Sequence, residues 1–396
     1  MMKFNRIFVI VMDSVGMGAL PDADRFGDVG THTFLHTAQR SGGLKIPHLE
    51  SLGLGDLSPI PGVKKVIHPQ SYVTTMREIS AGKDTMTGHW ELMGLETKKP
   101  FKTFTDTGFP KALIEELSRK TGHQFIGNVA ASGTEIIKQL GEEHRRTKKI
   151  IVYTSADSVL QLAAHEEVIP LKELYRVCEV AREICMKPEY LLGRIIARPF
   201  VGTNANTFKR TANRHDYALS PGVETTLDVL NHAGLTTSCI GKINDIFNGQ
   251  GVNRTQKTMS NQDGMEKTIA ETYLKFKGLA FINLVEFDSE FGHRRDPLGY
   301  GKAIEQFDQQ LGKLLPLIKN EDLLVITADH GNDPTHTGTD HTRERVPLIM
   351  FSPQFSQGKA LEERATFADL SSTILHNFKL KQPKHHLGKP ILEILI

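Results

Sequence analysis

The sequence predicts an α/β protein: a mostly parallel sheet flanked by helices, plus a smaller inserted α+β cap domain. Three observations carry the architecture. Apolar, β-branched runs at residues 7–12, 236–240, 279–286 and 323–327 have the length and composition of buried parallel strands. Helical periodicity lies between several of them, which is the pattern of strand, crossover helix and parallel strand. Finally, Lys98-Lys99-Pro100 and Ala218-Leu219-Ser220-Pro221-Gly222 bracket a middle stretch of different rhythm.

Taken in chain order, residues 7–12 follow Lys3 and Arg6 and look superficially like a secretory leader. Six apolar residues ended by Asp13 are too few for one, so the run reads as a strand. Within the middle stretch, 111–120 and 171–186 are helical patterns, and 150–154 and 195–201 are strand-like. Beyond it, a helix over 223–233 ends at Gly234 and another over 265–277 ends at Gly278, each before a strand. Apolar residues at helical spacing over 302–318 precede the run at 323–327. The expected organisation is a core domain of 1–99 plus 221–396, with 100–220 inserted as a cap or lid. No internal repeat or low-complexity segment interrupts it.

Composition narrows the function classes. With 396 residues, 39% hydrophobic and 24% charged, the chain is ordinary globular material rather than collagen-like, disordered or disulfide-stapled. Lysines and arginines number 48 against 46 acids, a net charge of +2, so nothing argues for nucleic acid or an anionic membrane. Cys178, Cys185 and Cys239 are odd in number and contain no Cys-x-x-Cys pair. They form neither a disulfide framework nor a thiolate zinc site and suit a reducing cytoplasm. No stretch approaches the roughly 18 apolar residues that span a bilayer, and no protein partner is implied. The 17 histidines are the count that demands positions.

Three expected strands end in carboxylates: Asp13, Asp288 and Asp329. Ligands of open parallel sheets bind beyond the carboxyl ends of the strands, so these acids should share one edge. Imidazoles accompany them: His293 after Asp288, His330 directly after Asp329, and His341 further along that loop. Bringing three negative charges together costs on the order of several kcal/mol unless cations neutralise them. Two divalent metals suit such a mixed oxygen and nitrogen set, and phosphoryl transfer is the usual work of a dinuclear site. The candidate nucleophile is Thr85, in Gly82-Lys83-Asp84-Thr85-Met86-Thr87-Gly88-His89, where small residues precede an amphipathic run. A helix N-terminus there would favour a phosphate. A plain N-cap role for Thr85 and a rival nucleophile in Thr87 both stay open.

Asp13-Ser14, Gly82-Lys83-Asp84-Thr85, Asp288 with His293, Thr327-Ala328-Asp329-His330-Gly331-Asn332 and Gly338-Thr339-Asp340-His341-Thr342 resemble the alkaline phosphatase superfamily from end to end. Tyr153-Thr154-Ser155-Ala156-Asp157-Ser158, Gly193-Arg194-Ile195-Ile196-Ala197-Arg198-Pro199-Phe200 and Arg210-Thr211-Ala212-Asn213-Arg214 are similar to its phosphopentomutase branch. The resemblance implies two Mn2+ ions in preference to Zn2+ or Mg2+. Asp288, His293 and His341 would hold one, and Asp13, Asp329 and His330 the other, with Thr85 beside the pair. It implies a sugar phosphate substrate: ribose 1-phosphate or its 2-deoxy analogue is exchanged with the 5-phosphate through phosphothreonine 85, with a sugar bisphosphate as intermediate and activator. It also implies Arg194 and Arg210 for the non-reacting phosphate, Asp157 for a sugar hydroxyl and Lys242 from the core. Arg198 reads equally well as a structural ion-pair partner. Thr85 argues against a sulfatase, which needs Cys or Ser there. A phosphohydrolase or a phosphoglycerate-type mutase of the same superfamily is the alternative. His89 could support Thr85 or merely pack, His336 rivals His341, and His32 and His36 have no assigned role.

Overall fold

The computed structural model describes residues 3–155 and 157–395. The chain forms two compact units, Met1–Pro100 with Pro221–Ile396, and Phe101–Ser220.

In the larger unit, the first strand is the centre of the sheet. Arg6–Met12 is buried along its whole length, as only a strand covered on both faces can be. It pairs in parallel with Gly278–Leu284 on one side and Asp322–Thr327 on the other, with Val9 opposite Phe281 and Val325. Thr236–Ile240 and Arg254–Gln256 continue the parallel array beyond Gly278–Leu284. Beyond Asp322–Thr327, Val346–Phe351 and Ser71–Met76 add two strands through antiparallel pairing. The result is a seven-stranded, mostly parallel sheet within an α/β fold.

Helix boundaries follow capping chemistry more closely than apolar periodicity. Thr226–His232 begins after Thr225, whose capping box with Asp228 sets the start three residues later than the expected 223. Asn261–Thr272 begins four residues before the expected 265, because the Ser260 hydroxyl accepts from the Asp263 amide. Pro297–Leu314 starts at a proline in its first turn, with Asp296 as cap, rather than at residue 302. The strand expected over 279–286 stops at Leu284, because the Val285 carbonyl accepts from the Asp288 and Ser289 amides and turns the chain.

The smaller unit has its own sheet, in the order Phe125–Ala130, Ile150–Thr154, Val159–His165, Arg194–Val201 and Lys209–Arg210; His215–Ala218 also pairs with Arg194–Val201. Strand alternation sorts its two cores. Ile150, Val152, Leu160 and Leu162 face helices Lys111–Thr121 and Leu171–Ile184, while Ile151, Tyr153 and Ala163 pack with Ile136 and Ile137 of helix Gly133–Thr147. Among the described residues no helix is long and apolar enough to cross a membrane.

Gly278 shows how closely the parallel strands are stacked. Its φ is +138°, and a Cβ there would stand 2.1 Å from the Thr236 carbonyl oxygen. Gly278→Ala is expected to lower the urea midpoint of the larger unit by an amount equivalent to about 2–4 kcal/mol. An unchanged midpoint would show that the strand pair can separate freely at this point.

Candidate active site

Because Met12 and Leu284 are in register and Thr327 lies opposite Val11, three adjacent strands end together. Asp13 follows directly on the first. Asp329 comes two residues beyond Thr327, and Asp288 sits on a π-helical turn, Phe287–Gly292. The structure brings all three acids into one cluster with His293, His330 and His341, buried except at the partly exposed His293. His330 Nε2 lies 3.6 Å from Asp13 Oδ1 and 3.3 Å from Asp329 Oδ2. His293 Nε2 lies 3.0 Å from Asp288 Oδ2, and His341 Nε2 lies 3.5 Å from Asp288 Oδ1.

Thr85 is drawn into the same cluster, its Oγ1 3.2 Å from His330 Nε2. It is the first residue of helix Thr85–Leu92, not the cap. The cap is Asp84, whose Oδ1 accepts from the Met86 and Thr87 amides and whose Oδ2 accepts from the Thr87 hydroxyl at 2.6 Å. That arrangement commits Thr87 to the helix end and leaves Thr85 as the hydroxyl at the cluster. It also uses two of the helix-terminal amides that would otherwise greet a phosphate.

The donor chemistry fits divalent cations. His330 Nδ1 is 3.0 Å from the Gly331 carbonyl and His293 Nδ1 is 2.6 Å from that of Thr339. Each carbonyl accepts from Nδ1–H, which turns Nε2 toward the carboxylates. Asp13 Oδ1 is buried and makes no hydrogen bond among the described residues. Asp13, Asp329 and His330 offer ligand atoms within 4.8 Å of one another, as do Asp288, His330 and His341.

Electrostatics divides the acids. Burial, reinforced by Asp329 and Asp288, pushes the Asp13 carboxyl well above the ordinary range. Burial opposes ionisation of Asp288 too, but His293 and His341 overcome it and hold that carboxyl well below the ordinary range. For Asp329, His330 and His89 likewise outweigh burial. Lys242, just past the Thr236–Ile240 strand, contributes a charge that favours ionised Asp13.

Several residues that sequence reasoning did not single out hold these loops. Arg343, two positions past His341, is buried and donates to the Gly82 carbonyl, to Glu78 and to Asp22. It therefore ties the loop before Thr85 to the loop carrying His341. Gly88 lets helix Thr85–Leu92 pass Asp329, since a Cβ there would lie 2.0 Å from the Asp329 carbonyl oxygen. Asn332 donates to Asp288 Oδ1 at 2.8 Å. The Glu344 carboxylate accepts from the Thr33 and Gly18 amides and from the Thr33 and Thr342 hydroxyls. Gly16 and Gly331 make room for it, because a Cβ on either would come within 2.6 Å of its carboxyl group.

Three other histidines of the larger unit fall elsewhere. His336 lies beside the Gly27 carbonyl and Asp28. His32 caps helix Thr33–Arg40, and His36 bonds Asp333. In the smaller unit, Arg194 Nη2 sits 3.2 Å from Asp157 Oδ2, and Arg210 is exposed on Lys209–Arg210. Arg198 bonds the Gln161 side-chain oxygen rather than a carboxylate. Burial together with Arg214 and Arg210 lowers its pKa to about 10.

Burial also raises the Glu344 carboxyl from 4.5 to about 7. Between those values the native protein holds a proton that the unfolded chain has released, so stability falls as pH rises through the window and levels off above it. Urea unfolding of wild type and Glu344→Gln at several pH values checks this. The stability of wild type relative to the variant should decline from about pH 4.5 to about pH 7 and then stay flat; a difference independent of pH would refute it.

A sequence model of the Metalloenzyme superfamily matches residues 5–382. Phosphopentomutase of Clostridium beijerinckii is 50% identical over 396 residues, spanning 100% of both chains. Phosphopentomutase of Clostridium botulinum is 51% identical over the same extent. Among solved structures, the PH0037 protein from Pyrococcus horikoshii superimposes with a TM-score of 0.51 at 12% identity, covering 97% of this chain and 99% of that one, a likeness of fold. Full-length identity near one half, joined to a family match over nearly the whole chain, places this chain in the Metalloenzyme superfamily and, within it, in the phosphopentomutase family.

Proposed function

We propose that the chain catalyses the phosphopentomutase reaction, exchanging ribose 1-phosphate, or its 2-deoxy analogue, with the corresponding 5-phosphate. The observation that carries the chemistry is the Thr85 hydroxyl, 3.2 Å from the same His330 nitrogen that Asp13 and Asp329 approach. Identity to phosphopentomutases over the full chain supports the choice of substrate.

In this reading Asp288, His293 and His341 would hold one divalent cation, and Asp13, Asp329 and His330 the other. Manganese suits their mixture of carboxylate oxygen and imidazole nitrogen. The cations would offset the carboxylate charges, polarise the phosphoryl group and acidify the Thr85 hydroxyl. Thr85, phosphorylated, would give its phosphoryl group to the free hydroxyl of the sugar phosphate, and the resulting bisphosphate would return its other phosphoryl group to Thr85. Each transfer breaks one P–O bond and forms one, and the hydroxyl proton moves to the oxygen released. Because such a transition state is loose, holding the partners in line supplies most of the rate. Arg194 and Arg210 would hold the non-reacting phosphate, a task that suits the planar guanidinium. Asp157 would accept from a sugar hydroxyl, and Lys242 would add positive charge near Asp13. Retaining the bisphosphate and excluding water is the role proposed for the smaller unit as a cap.

Incubation with ribose 5-phosphate, manganese and a trace of sugar bisphosphate, followed by 31P NMR, tests the proposal. The expected product is ribose 1-phosphate without free phosphate, abolished by a chelator and restored by manganese. Thr85→Ala should lower turnover by about 10⁴-fold or more. Free phosphate without the isomer would establish a phosphohydrolase instead.

A further inference from the structure

His89 is fully buried one helical turn after Thr85. Nδ1 faces two oxygens, the Thr85 carbonyl at 2.9 Å and Asp329 Oδ2 at 3.0 Å, and donates between them. On the other side, Nε2 meets Asn283 Nδ2 at 3.4 Å. The amide of Asn283 is oriented by Asp13, whose Oδ2 accepts from the same Nδ2 at 2.8 Å. The ring therefore stands between the Thr85 carbonyl and Asp329 on one side and the amide that contacts Asp13 on the other.

We propose that His89 and Asn283 are positioning residues: the imidazole, braced by Asn283, fastens the backbone of Thr85 to the carboxylates of Asp13 and Asp329. This rests on the reading of Thr85 as nucleophile and adds to it the device that registers the hydroxyl against its neighbours.

The test uses the full chain, with steady-state kinetics and intact mass as its two readouts. Kinetically, His89→Leu should lower kcat by about 10–100-fold, the usual cost of removing a group that orients a metal ligand, while leaving KM for ribose 5-phosphate within about two-fold. His89→Asn, which keeps a donor where Nδ1 stood, should recover most of that loss. If it does not, or if His89→Leu turns over like wild type, the role is refuted. Intact mass after mixing with sugar bisphosphate separates the two levels. Phosphate on Thr85 in wild type and equally in His89→Leu would overturn the positioning role alone. No phosphate on wild-type Thr85 would overturn the nucleophile as well.

Discussion

Three carboxylates, Asp13, Asp288 and Asp329, are forced into one dry cluster by strands that end side by side, and their mutual repulsion is what the surrounding structure must answer. Its answers are local and directional. Imidazoles approach Asp288 and Asp329, the Ser14 amide donates to Asp329 Oδ1 at 3.0 Å, and Asn283 donates to Asp13. Asp13, which no imidazole approaches closer than 3.6 Å, is the acid pushed furthest toward its neutral form. The cluster thus gathers oxygen and nitrogen donors around a surplus of negative charge that divalent cations would offset.

What could be read in the sequence, and what could not, divides along a physical line. The strands beneath Asp13 and Asp329 announce themselves because burial on both faces requires unbroken apolar runs. The acids at their ends are legible for the same reason. Ser71–Met76 and Val346–Phe351 escape, the first because Ser, Thr and Tyr dilute its pattern, the second because Pro347 reads as a breaker. Helix Gly133–Thr147 is hidden by its opening glycine and by a half-buried face rich in charge. In the site, Thr85 and Thr87 cannot be separated by pattern alone; the side chain of Asp84 separates them. Gly88, Arg343 and Glu344 are illegible because their roles depend on segments distant in sequence, such as the Asp329 carbonyl, the Gly82 carbonyl and the Thr33 amide. Conformational necessity at Gly88 and buried charge at Arg343 were the available signals, and both need a neighbour to be recognised.

The smaller unit shows a different economy of charge. Arg214 is held by both oxygens of Asp216, and Arg198 leans on an uncharged amide, so cations lying close together in sequence have unequal company. Crowding is visible in the guanidinium of Arg198, whose proton is loosened by burial and by its like-charged neighbours. A near-zero net charge for the whole chain thus conceals an acid cluster in one unit and a basic stretch in the other.

The central position of Arg6–Met12 has a bearing on how the chain is made. Its two sheet neighbours, Gly278–Leu284 and Asp322–Thr327, leave the ribosome only after most of the chain has been synthesised. Until then a strand that is apolar beyond Arg6 lacks its sheet neighbours, while the strands of Phe101–Ser220 pair only among themselves. The cost of closing so long a loop grows only slowly with its length, so the delay is kinetic rather than thermodynamic. The segment that ends in Asp13 is therefore made well before its neighbours can house it, and during that interval its apolar run needs protection.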